Sequence, residues 1–522
     1  MVTWELHMTD TNRRRFLQNS IAAGAVTTSG LTLSGLANAM KLGNRLEVAA
    51  IRFGTMADAG ENGGSMLGHE IVKVAGPLKT TIMLLRDGNL RICLVCFDGG
   101  LSVEYTKRLI SRELNIPWDN VVIFSSHNHS GAPTGGSSAP GENHYNINRN
   151  DPSYNAPLTP FGKRLFDELK ASARRLPGML QPVTVWHAEG SEGRITYNRK
   201  GRRADGSTYF MREEDRILVG SDYNGDIDRQ APVIVFRDDG DKAVAALVQF
   251  TGHPVTSYDA EAPVVFGEWP QVATDIVARE LANGGKPVPV GYLQGCCGDV
   301  NSKEMFTGGV DRAIEFGEML GESYVNALQD LRMSDRDGMS FTVESVPIPC
   351  APLPSRDVLT EEVAEMHDFI RRADAGDEDT LACVGLNFPR ALSAEYRGAL
   401  VKSILPWNEW ALDLHKTGRA NNVAKSVGLP THVFRIGDVG IIGMQCEPFQ
   451  GIGRRMRELS PTALTIPCGY ANGSQGYFTD AGNTGDREYM SSFYRYTRYR
   501  PPFKAPAGDV AADRAVQILK QS

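Results

Sequence analysis

The sequence predicts an α/β protein with mixed, mainly parallel sheets covered by helices, and a metal site at the C-terminal ends of strands. Three observations carry this expectation. Short apolar, β-branched runs alternate with amphipathic stretches of helical period along most of the chain. Three of the apolar runs end in turns that bear His or Glu. No linker-like break divides the alternation, so one large domain follows a short leader.

The leader comes first. Arg13-Arg14-Arg15-Phe16-Leu17-Gln18 matches the twin-arginine export pattern, and an Ala/Gly/Thr-rich stretch follows over residues 21–36. Ala37-Asn38-Ala39 reads as a small-residue cleavage site. Residues 1–39 are therefore expected to be a twin-arginine signal peptide, and residues 40–522 the mature domain. The leader's apolar stretch is too weak for a permanent membrane span. The expected location is periplasmic or secreted.

Strand-like runs occupy residues 90–97, 121–124, 183–188, 232–236, 243–250, 288–293, 431–436 and 439–443. Helical patterns occupy 106–114, 160–176, 269–282, 313–331, 360–373, 449–458 and 507–520. No internal repeat is visible. Residues 132–159 form a long Gly/Ser/Pro/Asn-rich stretch, expected to border the functional site.

Composition excludes several classes. The 522 residues carry a net charge of −7, which argues against nucleic acid and against electrostatic binding to anionic membranes. A hydrophobic content of 41 % suits a globular chain with a sizeable core, and no later run is long enough to be transmembrane. Eight cysteines in this length do not make a disulfide scaffold. Cys93 and Cys96 fall inside an apolar run and read as buried strand residues. Oligomeric state is not legible.

The most informative run is residues 121–131, where Val121-Val122-Ile123-Phe124 leads into Ser125-Ser126-His127-Asn128-His129-Ser130-Gly131. Two imidazoles one residue apart in extended chain point the same way. They suit metal ligation or acid–base chemistry, with satisfied turn histidines as the competing reading. A second apolar run ends in Gly252-His253-Pro254-Val255, and a third in Gln445-Cys446-Glu447-Pro448-Phe449. A hydrolytic zinc site typically needs about three protein ligands and an open position. The spacing of Asp222, Asn224, Asp226 and Asp228 also has the look of a calcium loop.

These motifs, with Gln294-Gly295, Gly298-Asp299-Val300 and Gly476-Tyr477-Phe478-Thr479, resemble the neutral (non-lysosomal) ceramidase family in order and spacing. The resemblance runs from about Arg52 to the C-terminus, through Gly68 and the Asp87-Gly88-Asn89-Leu90-Arg91 hairpin. It implies a zinc-dependent hydrolase of an N-acyl amide, with a ceramide-like lipid as the leading substrate. It implies His127, His253, Glu447 and Tyr477 as zinc ligands. It further implies His129 as a proton carrier, Arg199 near the scissile amide and Tyr494 at the oxyanion. For Arg199, which lies in a basic run, a solvated loop is the competing reading.

Three features depart from the family. Asn301 stands where the characterised enzymes have a Ser that matters for activity, and Ser302 would face away. Asn301 is expected to donate an orienting hydrogen bond instead. Cys296 and Cys297 are vicinal, and their state is open. The chain is expected to lack the family's C-terminal immunoglobulin-like domain. The alternatives are therefore the same zinc site acting on a non-lipid amide, ester or carbohydrate-derived metabolite, and a non-catalytic periplasmic metal or ligand binder.

Overall fold

Three chain segments build three sheets by the same route. In the computed structural model, which describes residues 45–136, 156–481 and 499–522 apart from Ser65, Ser207 and Ala505, the first route starts at β1 (Glu47–Thr55). β2 (Leu78–Asp87) and β3 (Leu90–Phe97) follow, joined by the tight Gly88-Asn89 turn with Gly88 at φ 56°. Helix α1 (Val103–Leu114) then crosses over, and β4 (Val121–Ser125) lies parallel to β3. Helix α2 (Pro160–Arg175) begins at Thr159, whose side chain accepts from Gly162 N, with Pro160 at the first helical position.

The second route runs β5 (Thr184–Ser191), β6 (Gln230–Arg237), β7 (Ala243–Phe250), α3 (Glu268–Glu280) and β8 (Val290–Gln294). Helix α4 (Gly309–Leu328) packs beside α3. The third route starts at β9 (Met339–Pro349) and is interrupted by a helical pair, α5 (Arg356–Asp374) and α6 (Ala394–Lys416). It resumes with β10 (Ser426–Ile436), β11 (Val439–Met444), α7 (Gln450–Leu459) and β12 (Leu464–Cys468), and α8 (Ala507–Gln521) closes the chain.

The sheets are mixed, as expected, but mainly antiparallel rather than mainly parallel. In each, the first three long strands pair antiparallel and only the last pair is parallel. For the hairpins and the final parallel pairs the cause is connection length. Short turns such as Gly437-Asp438 can only return the chain antiparallel, whereas a helical crossover permits a parallel neighbour. The result is a structural repeat that the sequence did not display.

Period-two alternation then divides each sheet's side chains between two cores. Met83, Leu85, Leu94 and Phe124 of the first sheet, Ile234, Phe236 and Leu247 of the second, and Phe434, Ile441 and Ile466 of the third share one central cluster. The opposite face of each sheet packs on its own helices: Ile82 and Val95 against Phe166 and Leu169, Val233 and Val248 against Trp269 and Phe316, Val433 and Ile442 against Ile452 and Val516. Cys93 and Cys96 fall on opposite faces and are both buried and free, as expected of strand residues. Among the described residues no helix is long and apolar enough to cross a membrane. The leader, residues 137–155 of the long loop, and Tyr494 lie outside the described residues.

Candidate metal centre

His127 is the second residue after β4 ends at Ser125. The chain does not stay extended there: His127 adopts a left-handed φ of 61°. The two imidazoles still converge, with Nε2 of His129 3.4 Å from Nε2 of His127. The loop is fixed from below. His129 N donates to Pro254 O, Asn128 Nδ2 donates to Phe266 O at 2.6 Å, and the Ser130 and Ser257 hydroxyls lie 2.9 Å apart.

His253 follows β7 and is 1 % exposed. Its Nδ1 lies 3.0 Å from Val300 O and its Nε2 2.6 Å from Glu447 Oε1. Glu447 opens a two-residue strand after β11 that pairs in parallel with Tyr477–Phe478, in the register Glu447↔Tyr477. One ligand atom each from His127, His253 and Glu447 lie within 4.8 Å of one another. His127, with 26 % of its side chain exposed, and His129 stand on the open side of this cluster.

Arg199 is 4 % exposed, so the solvated-loop reading fails. The pairing of Thr196–Asn198 with Val300–Ser302 carries it inward. Its Nη2 donates to Gly298 O at 2.7 Å and to Tyr477 Oη at 3.0 Å, and lies 3.8 Å from Glu447 Oε1. Its Nη1 donates to Asn301 Oδ1 at 3.1 Å. Asn301 is fully buried, and its Nδ2 faces Met305 Sδ at 2.7 Å. Ser302 does face away, toward Thr256 Oγ1 at 2.9 Å. The structure thus brings together His127, His129, His253, Glu447, Tyr477, Arg199 and Asn301.

Burial drives the electrostatics. Desolvation, reinforced for His253 by the Arg199 cation, holds His127 and His253 well below the usual imidazole range. His129 is lowered to about 4 by the protein packed around its recess, although its edge meets solvent. This donor set fits a divalent cation. Val300 O can only accept, so Nδ1 of a neutral His253 carries the proton and Nε2 presents a bare lone pair. That lone pair faces a carboxyl oxygen at 2.6 Å, a contact that needs a proton or a cation beside it. Neutral imidazoles and a carboxylate are the ligand types that zinc takes.

Two other expectations resolve. Asp226 accepts from both Nη atoms of Arg454 at 2.8 and 2.7 Å, and Asp228 accepts from Arg457 at 2.7 Å, so these two carboxylates face arginines rather than a shared cation. Cys296 and Cys297 are free buried thiols. Cys296 belongs to the cluster under α7 and α8, while Cys297 Sγ lies 3.4 Å from Tyr470 Oη.

Sequence reasoning missed two residues. Tyr470 stacks on His127, with ring centroids 4.1 Å apart and planes at 20°. Glu268 is fully buried at a left-handed φ of 59°, accepts from Ser257 N and Oγ, and is pushed up to about 7 chiefly by burial. An acid at a helix start is a common pattern; nothing local marks this one as buried beneath the His127–Gly131 loop.

No protein-family model matches the chain, and no curated protein sequence matches it. Solved structures do. The crystal structure of neutral ceramidase from Pseudomonas aeruginosa superposes with a TM-score of 0.57 at 16 % identity, over 92 % of this chain and 75 % of that one. A ceramidase structure complexed with C2 gives 0.58 at 15 % identity, over 92 % and 76 %. At such identities the likeness is one of fold, and it extends over nearly the whole chain: the chain has a neutral ceramidase-like fold.

Proposed function

We propose that this protein is a zinc-dependent hydrolase of an N-acyl amide bond, with a ceramide-like lipid as its leading substrate. The observation that carries the reading is the convergence of His127, His253 and Glu447 beside the buried Arg199, which donates to Tyr477. A bound zinc ion would supply Lewis-acid polarisation of the carbonyl and a lowered pKa for water. Tyr477 is the proposed fourth ligand, since its register opposite Glu447 puts both side chains on one face. His129, on the open side, takes the proton of the attacking water at a ring nitrogen and returns it to the departing amine. The Arg199 cation would stabilise the developing oxyanion by its charge, with Tyr494 proposed beside it from the family resemblance. Asn301 accepts from the Arg199 guanidinium and helps to hold it in place.

We further propose twin-arginine export, cleavage after Ala39 and a periplasmic or secreted mature chain of residues 40–522. Asn301, an amide where the family has a hydroxyl, favours a second reading: the same centre acting on a non-lipid amide, ester or carbohydrate-derived metabolite. A non-catalytic periplasmic binder of metal or ligand is the third reading.

Elemental analysis of the exported protein, its N-terminal sequence, and a hydrolysis panel of ceramides, other N-acyl amides and esters test these readings together. The expected result is stoichiometric zinc, an N-terminus near Met40 and turnover of an N-acyl member. Unchanged zinc in a His127→Ala, His253→Ala variant sinks the ligand assignment. Zinc-loaded protein that turns over no panel member sinks the hydrolase.

A further inference from the structure

The two histidines of the proposed centre are supported differently. His253 has its outer nitrogen, Nδ1, held by Val300 O at 3.0 Å. A ligand imidazole almost always has such a hydrogen bond, which sets its tautomer and its plane. Among the described residues His127 has no counterpart. Its Nε2 faces Glu447 Oε1 at 3.7 Å and His129 Nε2 at 3.4 Å, and among the described residues nothing hydrogen-bonds its Nδ1. What lies against the ring is Tyr470, face to face at 4.1 Å.

Tyr470 is itself held at several points. It is 3 % exposed, and its backbone N donates to Cys446 O at 2.9 Å, next to Glu447. Its hydroxyl lies 3.4 Å from the fully buried Cys297 Sγ. Asn472, two residues on, accepts from Ile123 N at 2.9 Å and donates its own N–H to Ile123 O at 2.8 Å, which ties this turn to β4. The architecture adds a further point. Tyr470 is the second residue after β12, as His127 is after β4, and both are left-handed, at φ 55° and 61°. Non-glycine residues hold that conformation only where their surroundings fix it. Two structurally equivalent turns of the repeat thus press their side chains together at the centre.

We propose that Tyr470 is the positioning residue for His127: its stacked ring, in place of a hydrogen bond, fixes the imidazole plane for metal ligation. The inference rests on the zinc reading above. The ring face is the working part, and the hydroxyl serves to anchor the ring against Cys297.

The test is zinc affinity, measured by competition with a chromophoric chelator, together with the visible spectrum of the cobalt(II) form and the melting temperature without metal. Tyr470→Leu, and Tyr470→Met, which keeps bulk without a ring face, should weaken zinc binding ~10–100-fold, the usual effect of losing an outer partner of a ligand. Both should alter the cobalt spectrum. Tyr470→Phe keeps the face and should restore affinity and spectrum. In a His127→Ala background the same changes should have no further effect, because Tyr470 acts through His127. Wild-type affinity in Tyr470→Leu overturns the proposal, as does an equal loss in the His127→Ala background. Unfolding of both the Leu and Met variants without metal makes Tyr470 a folding residue and also overturns it. A wild-type protein that binds no zinc removes the metal reading itself, a distinct outcome.

Discussion

A buried guanidinium must place its donors, and Arg199 distributes them over Gly298 O, Asn301 Oδ1 and Tyr477 Oη. Losing an acceptor at such a site costs about 1–3 kcal/mol. Asn301→Ala should therefore leave Arg199 less well aimed and lower turnover by ~10–1000-fold, in the range seen when an oxyanion donor is lost or misplaced. Zinc content should be unchanged, because Asn301 is not among the converging ligand atoms. A variant with full activity would detach Asn301 from the chemistry. At this scale the sequence was informative where chemistry is written in contiguous residues. His127, His129, His253, Glu447 and Tyr477 each sit in a short motif. Arg199 was ambiguous because a basic run looks solvated until strand pairing carries it inward. Tyr470 and Glu268 were silent, since stacking and burial depend on how separate segments of the chain pack together.

Helices α3 and α4 meet at glycine. A Cβ on Gly317 would lie 2.9 Å from Trp269 O and closer still to Val272, and one on Gly321 would press on Ile276. Backbone leaves little room to give, so Gly317→Ala should destabilise the fold by about 1–3 kcal/mol, the usual cost of overpacking. Urea denaturation would show it as a lower midpoint at unchanged slope. An unchanged midpoint would mean that the helix pair can separate freely. Element type was largely legible: the helical patterns near residues 160–176, 269–282 and 507–520 recur as α2, α3 and α8. Helix α6 was missed because Pro406 interrupts a weakly amphipathic stretch. Strand direction was misread because alternation of strand and helix says nothing of the hairpins between them.

Over the whole molecule, buried titratable groups set how stability follows pH. Glu268 is raised from 4.5 to about 7, so the folded state holds a proton that the unfolded chain has released. Its contribution is complete below about 4.5 and is lost as pH rises through about 7. His432, buried beside Asn472, is lowered from 6.5 to about 3. Its contribution is present above 6.5 and is lost as pH falls toward about 3. Glu268→Gln should thus gain stability relative to wild type as pH rises from about 4.5 to 7, and His432→Gln as pH falls below 6.5. Calorimetry across this range checks both, and parallel curves for wild type and variants would contradict the burial argument. The overall class was legible, but the three-sheet repeat was not, because the shared core asks only for apolar residues at alternate positions and many sequences satisfy that.

Each converging side chain comes from a different sheet: His127 follows the first, His253 leaves the second, and Glu447 leaves the third. His253 and Glu447 alone are separated by 194 residues of chain. A cation held there would be a reversible crosslink among three distant stretches of polymer, closing large loops whose entropy the unfolded chain would otherwise keep. Its removal should therefore be felt in the rate at which the three sheets come apart as well as in chemistry, and a chelator should act as a denaturant of the whole chain.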